Sequence, residues 1–102
     1  MNNSRNVRLN EEYIKVIKNL AKKYFNTEEV IIFGSRADLK KRGGDIDIYI
    51  HTQKKGNVLQ SKLAFLRDFE LLLGEQKVDL IVQAGGKEKM IHKIARNEGV
   101  RI

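Results

Sequence analysis

Between Asp45 and His51 the chain alternates without a break: Asp45-Ile46-Asp47-Ile48-Tyr49-Ile50-His51. A period of two is the signature of a strand. It sends Ile46, Ile48 and Ile50 to one face and Asp45, Asp47, Tyr49 and His51 to the other. A chain that contains such a strand must cover its isoleucine face, and only further strands and helices can do so.

Those elements are readable on both sides. Upstream, Asn10 is placed to cap a helix, with Glu11 and Glu12 in the first turn, where negative charge is favoured. Ile14, Ile17, Leu20, Ala21, Tyr24 and Phe25 then follow at helical spacing, which predicts a helix from about Glu11 to Tyr24. Val30-Ile31-Ile32-Phe33 reads as a short buried strand stopped by Gly34, with a helical turn from Ser35 to about Leu39. Downstream, Val58 to Leu73 reads as an amphipathic helix. Its expected apolar stripe is Leu59, Leu63, Leu66, Phe69, Leu72 and Leu73, and Gly74 stops it. Val78-Asp79-Leu80-Ile81-Val82 is a further strand. A last helix is expected over Lys87 to Asn97, with Met90, Ile91 and Ile94 inward, followed by an extended tail at Val100-Arg101-Ile102.

The expected order is α-β-α-β-α-β-α, an α/β (α+β) class with a small mixed sheet and helices packed on it. The connection between the first two strands is about a dozen residues, short for a parallel crossover, so a mixed or antiparallel pairing is expected there. The 102 residues suffice for a single domain over 1–102, with residues 1–8 polar and loose.

Composition narrows the chemistry. There is no cysteine, which excludes disulfides and cysteine-ligated zinc, and the two histidines are too few for a histidine-rich metal site. No segment approaches the ~18 apolar residues of a membrane span, and the first residues lack a signal-peptide core; a cytoplasmic protein without a membrane partner is expected. The net charge of +7 favours anionic partners. The lysines are scattered and the aromatics few, which argues against direct nucleic-acid binding.

Three features carry the chemistry. Gly34-Ser35 lies where a strand turns toward a helix. Glycine lets backbone approach a ligand closely, and a helix start offers free N–H groups. Ser35 and Arg36 would add a hydroxyl and a charge for the phosphates of a nucleoside triphosphate (NTP). An ordinary serine cap reads the same way.

Asp45 and Asp47 project from one face, roughly 7 Å apart along the strand. That suits carboxylates sharing hard divalent cations, which prefer oxygen ligands. A solvated strand face is the plainer reading, although aspartate is disfavoured in strands.

Asp79 interrupts an apolar strand. Burying a lone carboxylate is costly unless it is paired or metal-bound, so Asp79 is either a third ligand and general base or a residue at the wet end of its strand, paired with Lys77. Tyr49 shares the carboxylate face and either stacks on a base or packs. His51 lies beyond on the same face as a surface residue, and His92 sits on an exposed helix position.

Gly34-Ser35, nine residues, Asp45-x-Asp47 and a later strand with Asp79 together resemble the active-site pattern of the DNA polymerase β-like nucleotidyltransferase superfamily. The short length resembles its minimal MntA-type members. The resemblance implies a nucleotidyltransferase fold and two Mg²⁺ ions held by Asp45, Asp47 and Asp79. It also implies that Gly34, Ser35 and Arg36 grip ATP or another NTP. It further implies an antitoxin that transfers AMP to a HEPN-type helical ribonuclease toxin, with that partner or a second copy of the chain completing the site. Two positions depart from the pattern: Asp38-Leu39 replaces a glycine common there, and Gly44 replaces a serine. Neither touches a carboxylate. A module that neutralises a toxin by binding alone is the alternative, and a nucleic-acid-binding protein a more distant one.

Overall fold

The computed structural model describes residues 9–34, 44–53, 56–84 and 97–102. Their elements are α1 (Glu11–Phe25), β1 (Val30–Phe33), β2 (Ile46–Thr52), α2 (Val58–Leu73), β3 (Val78–Ala84) and β4 (Val100–Arg101). The four strands form one sheet in the order β3-β2-β1-β4. β1 runs antiparallel to β2 and to β4, whereas β2 and β3 are parallel and joined through α2. The mixed sheet and the antiparallel first pair are as the sequence predicts. The tail is extended as expected, and its first two residues hydrogen-bond to β1 and make a fourth strand. The expected turn after Ser35, and the last helix up to residue 96 with Met90, Ile91, His92 and Ile94, lie outside the described residues.

α1 begins where Asn10, in extended conformation, accepts the Tyr13 N–H on its side-chain oxygen at 2.9 Å. Glu11 and Glu12 at one end and Lys22 and Lys23 at the other complement the helix dipole. The helix ends at Asn26, which takes the left-handed conformation and donates its N–H to the Lys22 carbonyl. Ile14, Ile17, Leu20, Ala21 and Phe25 are buried, as the spacing predicts.

These side chains meet the isoleucine face of the sheet. Ile46, Ile48 and Ile50 are fully buried beside Val30, Ile32 and Leu80, because Val30 pairs with Ile50, Ile32 with Ile48, and Ile48 with Leu80. Each such side chain contributes roughly 1.5–3 kcal/mol by leaving water. α2 completes the layer, packing on α1 through an edge-to-face Tyr13–Phe69 pair at 5.9 Å and a tilted Phe25–Phe65 pair at 6.2 Å.

The face that α2 buries agrees with the expected stripe at Phe69, Leu66 and Leu73, which pack on the core, and departs from it at the remaining leucines. Ser61, Phe65 and Phe69 point into the core, whereas Leu59, Leu63 and Leu72 are 64%, 58% and 61% exposed. Leu71 is exposed as well. The two large rings fill the space against α1 and take the inward face, which turns Leu59 and Leu63 outward by about a quarter of the helix circumference.

Candidate active site

The opposite face of the sheet carries the polar set. Phe33 of β1 pairs with Asp47 of β2, and Asp47 with Asp79 of β3, so three neighbouring strands bring these residues into one row. Beneath them Ile31 and Tyr49 are buried, with Phe33 and Ile81 packed against them. Tyr49 is thus part of the floor. Of the two roles open to it, packing is the one it fills, since a ring 1% exposed has no face left for a base.

Asp47 and Asp79 are register partners on the neighbouring parallel strands β2 and β3, and their carboxyl groups act on one another. Two carboxylates this close cannot both ionise freely. Partial burial first, and then the charge and hydrogen bond of Asp79 and the charge of Asp45, push the Asp47 carboxyl above the ordinary carboxylate range; Lys77 pulls it back in part. Asp79 itself is exposed, not embedded in an apolar interior, so its strand ends wet at this point. Lys77 does not pair with it. The Lys77 ammonium instead lies 3.6 Å from the Asp45 carboxylate. The backbone at this end is tied down by the Ile46 N–H donating to the Lys77 carbonyl at 3.1 Å and by the Gln76 side chain donating to the Gly44 carbonyl.

Gly34 follows Phe33 with φ at +70°, and the Asp47 carboxylate rests directly against it. The positive φ favours glycine, and a side chain there would displace that carboxylate. Ser35 and Arg36 lie outside the described residues.

A cavity of about 540 Å³ opens on the carboxylate pair. Phe33, Leu66, Val78, Leu80 and Ile81 form its apolar walls, and Asp47, Asp79 and Lys62 its polar groups. Lys62 was not a candidate from the sequence, because a lysine on an amphipathic helix is the ordinary surface residue. Its one distinguishing sign is its place in the row Leu59, Lys62, Leu63, Leu66.

His51 sits toward the other end of β2, with Nδ1 2.7 Å from Glu29 Oε2. It borders a separate cavity of about 450 Å³ with Lys23, Asn26 and Thr27.

The carboxylate pair fits a divalent cation chemically. Hard oxygen donors held close enough to repel are relieved by positive charge between them. Among the described residues, no group of three acidic or histidine side chains is already gathered as a cage, and Asp45 pairs with Lys77.

A family model described as Polymerase beta, Nucleotidyltransferase matches residues 15–102. The chain belongs to this family. A search of curated proteins finds no match. The matched span contains the Gly34 turn, both strands of the carboxylate pair and the whole of α2, so the row described above lies inside a nucleotidyltransferase domain. Nucleotidyl transfer, with an NTP as substrate, is accordingly the kind of reaction this domain belongs to, and among the described residues no helix is long and apolar enough to cross a membrane.

Proposed function

We propose that this nucleotidyltransferase transfers a nucleoside monophosphate, AMP from ATP, to a hydroxyl of a partner protein, with Asp45, Asp47 and Asp79 as metal ligands. The observation that carries the reading is the Asp47–Asp79 pair set beside the Gly34 turn. A close carboxylate pair next to a backbone turn with no side chain supplies what phosphoryl transfer needs: a place for cations and a place for phosphates.

In this reading Gly34, Ser35 and Arg36 bind the β- and γ-phosphates. Asp47 lies between the turn and Asp79, where it would hold the cation that the α-phosphate meets. Mg²⁺, two ions in this reading, supplies charge neutralisation at the attacking and leaving oxygens when bound. Asp45 joins by leaving Lys77, at little cost, because an exposed ion pair is worth about 1 kcal/mol or less. Asp79, exposed at the mouth of the cavity, takes the proton of the acceptor hydroxyl. The hydroxyl oxygen bonds to the α-phosphorus, the bond from that phosphorus to the bridging oxygen breaks, and pyrophosphate leaves.

The partner in this reading is a HEPN-type toxin, and the protein is its antitoxin. The exposed leucines of α2 favour a second version, in which the domain neutralises its partner by contact alone. One experiment separates them. The protein, Mg²⁺ and each α-³²P-labelled NTP are offered a HEPN-type protein and, separately, RNA, beside an Asp45→Asn/Asp47→Asn double variant. Label on the protein acceptor with the wild type alone supports transfer. Tight binding without label, with the double variant still neutralising the toxin, supports the contact version.

A further inference from the structure

Lys62 stands apart from the other lysines. Among the described residues it is the only lysine that is partly buried rather than exposed, and it makes no ion pair or hydrogen bond. Lys22, Lys23 and Lys77 each pair with a carboxylate. Lys62 shares a cavity with two carboxylates, Asp47 and Asp79, and still is not joined to either. A lysine whose stem is partly covered at a cavity wall, with no anion of its own, keeps its ammonium available to a ligand. It is held ready for an anion that the protein does not itself provide.

The sheet order says which anion. Passing across the strands, the Gly34 turn belongs to β1, Asp47 to β2 and Asp79 to β3, and Lys62 reaches the cavity from α2. Strands lie about 4.8 Å apart, so the turn and the Asp79 side are separated by roughly 10 Å. A triphosphate seated with its terminal phosphates at the turn brings only its α-phosphate to the carboxylate pair. We infer that Lys62 is a substrate-binding residue that contacts the α-phosphate of the nucleotide from the Asp79 side, opposite the Gly34 turn. The inference rests on the nucleotidyl-transfer reading above. In-line displacement leaves the non-bridging oxygens of that phosphate facing outward between entering and leaving groups, and one ammonium on one of them offsets charge as the acceptor oxygen arrives.

The test is a binding measurement, independent of turnover. A fluorescent NTP is displaced, with Mg²⁺ present, by the mono-, di- and triphosphate of the nucleotide that binds the wild type most tightly of the four. Lys62→Met, Lys62→Arg and the surface control Lys18→Met are compared with the wild type, each with a thermal melt of the unliganded protein. Lys62→Met is expected to weaken all three forms by a similar factor of roughly ten, the size of a charge-assisted hydrogen bond. Lys62→Arg should recover most of it, Lys18→Met should lose little, and the melts should coincide.

Unchanged binding by Lys62→Met, or a loss confined to the di- and triphosphate, overturns the α-phosphate assignment while leaving the transferase reading intact. A wild type that binds no NTP removes both, and the binding curve of the wild type shows which has failed.

Discussion

The Asp47 carboxylate occupies the space that a side chain at position 34 would fill. Gly34 therefore does more than turn the chain: it leaves room for the acid to lie flat beside the end of β1. Gly34→Ala would meet both that carboxylate and a φ of +70°, which costs about 1–2 kcal/mol for a residue with a Cβ. A loss of about 2 kcal/mol or more in urea unfolding is expected, together with a larger loss of Mg²⁺-dependent nucleotide binding than the stability change explains.

Asp47 makes one pH-dependent contribution to the stability of the metal-free protein. Its folded-state value is raised, so its contribution is fully present below the usual aspartate value near 3.9 and is lost as pH rises through the folded value. Asp47→Asn should thus melt higher than the wild type at pH 7 in EDTA. The difference should vanish near pH 3.5. Added Mg²⁺ should reverse the order at pH 7 by raising the wild type alone.

The link between the helices has the opposite sign. The Tyr24 hydroxyl donates to the Asp68 carboxylate, which also accepts from Arg67, and these contacts hold that carboxyl below its ordinary range. Its contribution is present above the unfolded value and fades as pH falls through the folded one. Tyr24→Phe is expected to lower the melting temperature at pH 7 and to match the wild type progressively as the pH approaches 2.

The two faces of α2 predict unequal tolerance. Phe65 is fully buried, so Phe65→Ala should cost about 3–5 kcal/mol in denaturant unfolding. Leu63 is 58% exposed, and Leu63→Lys should stay within about 0.5 kcal/mol of the wild type. The result would reverse if the leucine row were the buried one.

How much of this could be read beforehand depends on how far each residue's role is local. The alternation from Asp45 to His51 fixes its faces within the strand itself, and the cap at Asn10 is a three-residue affair; both are legible. The inward face of α2 is not. Leu59 and Leu63 repeat at helical spacing as well as Ser61, Phe65 and Phe69 do, and only the rings of Tyr13 and Phe25 on α1 decide between them. Asp79 reads as an acid inside an apolar strand because the sequence does not show that its strand is an edge with that side open. Two residues at Val100 are too few for a strand signal and need β1 beside them. Lys62 acquires meaning only once β3 closes the cavity in front of it.

The parallel register of β2 and β3 makes chain length itself a constraint on the carboxylate pair. Asp47 and Asp79 are partners across a connection that runs from residue 48 to 78. A slip of one residue would turn Asp79 into the isoleucine layer and put a valine or leucine in its place. A slip of two would restore the face but set Asp79 against Asp45 or Tyr49. Insertions and deletions in this stretch are therefore tolerated only where a turn can absorb them, around Gly56 and Gly74, both of which already sit at positive φ. The spacing between the acids is inherited as a count of residues, and that count is as much a part of the site as the acids are.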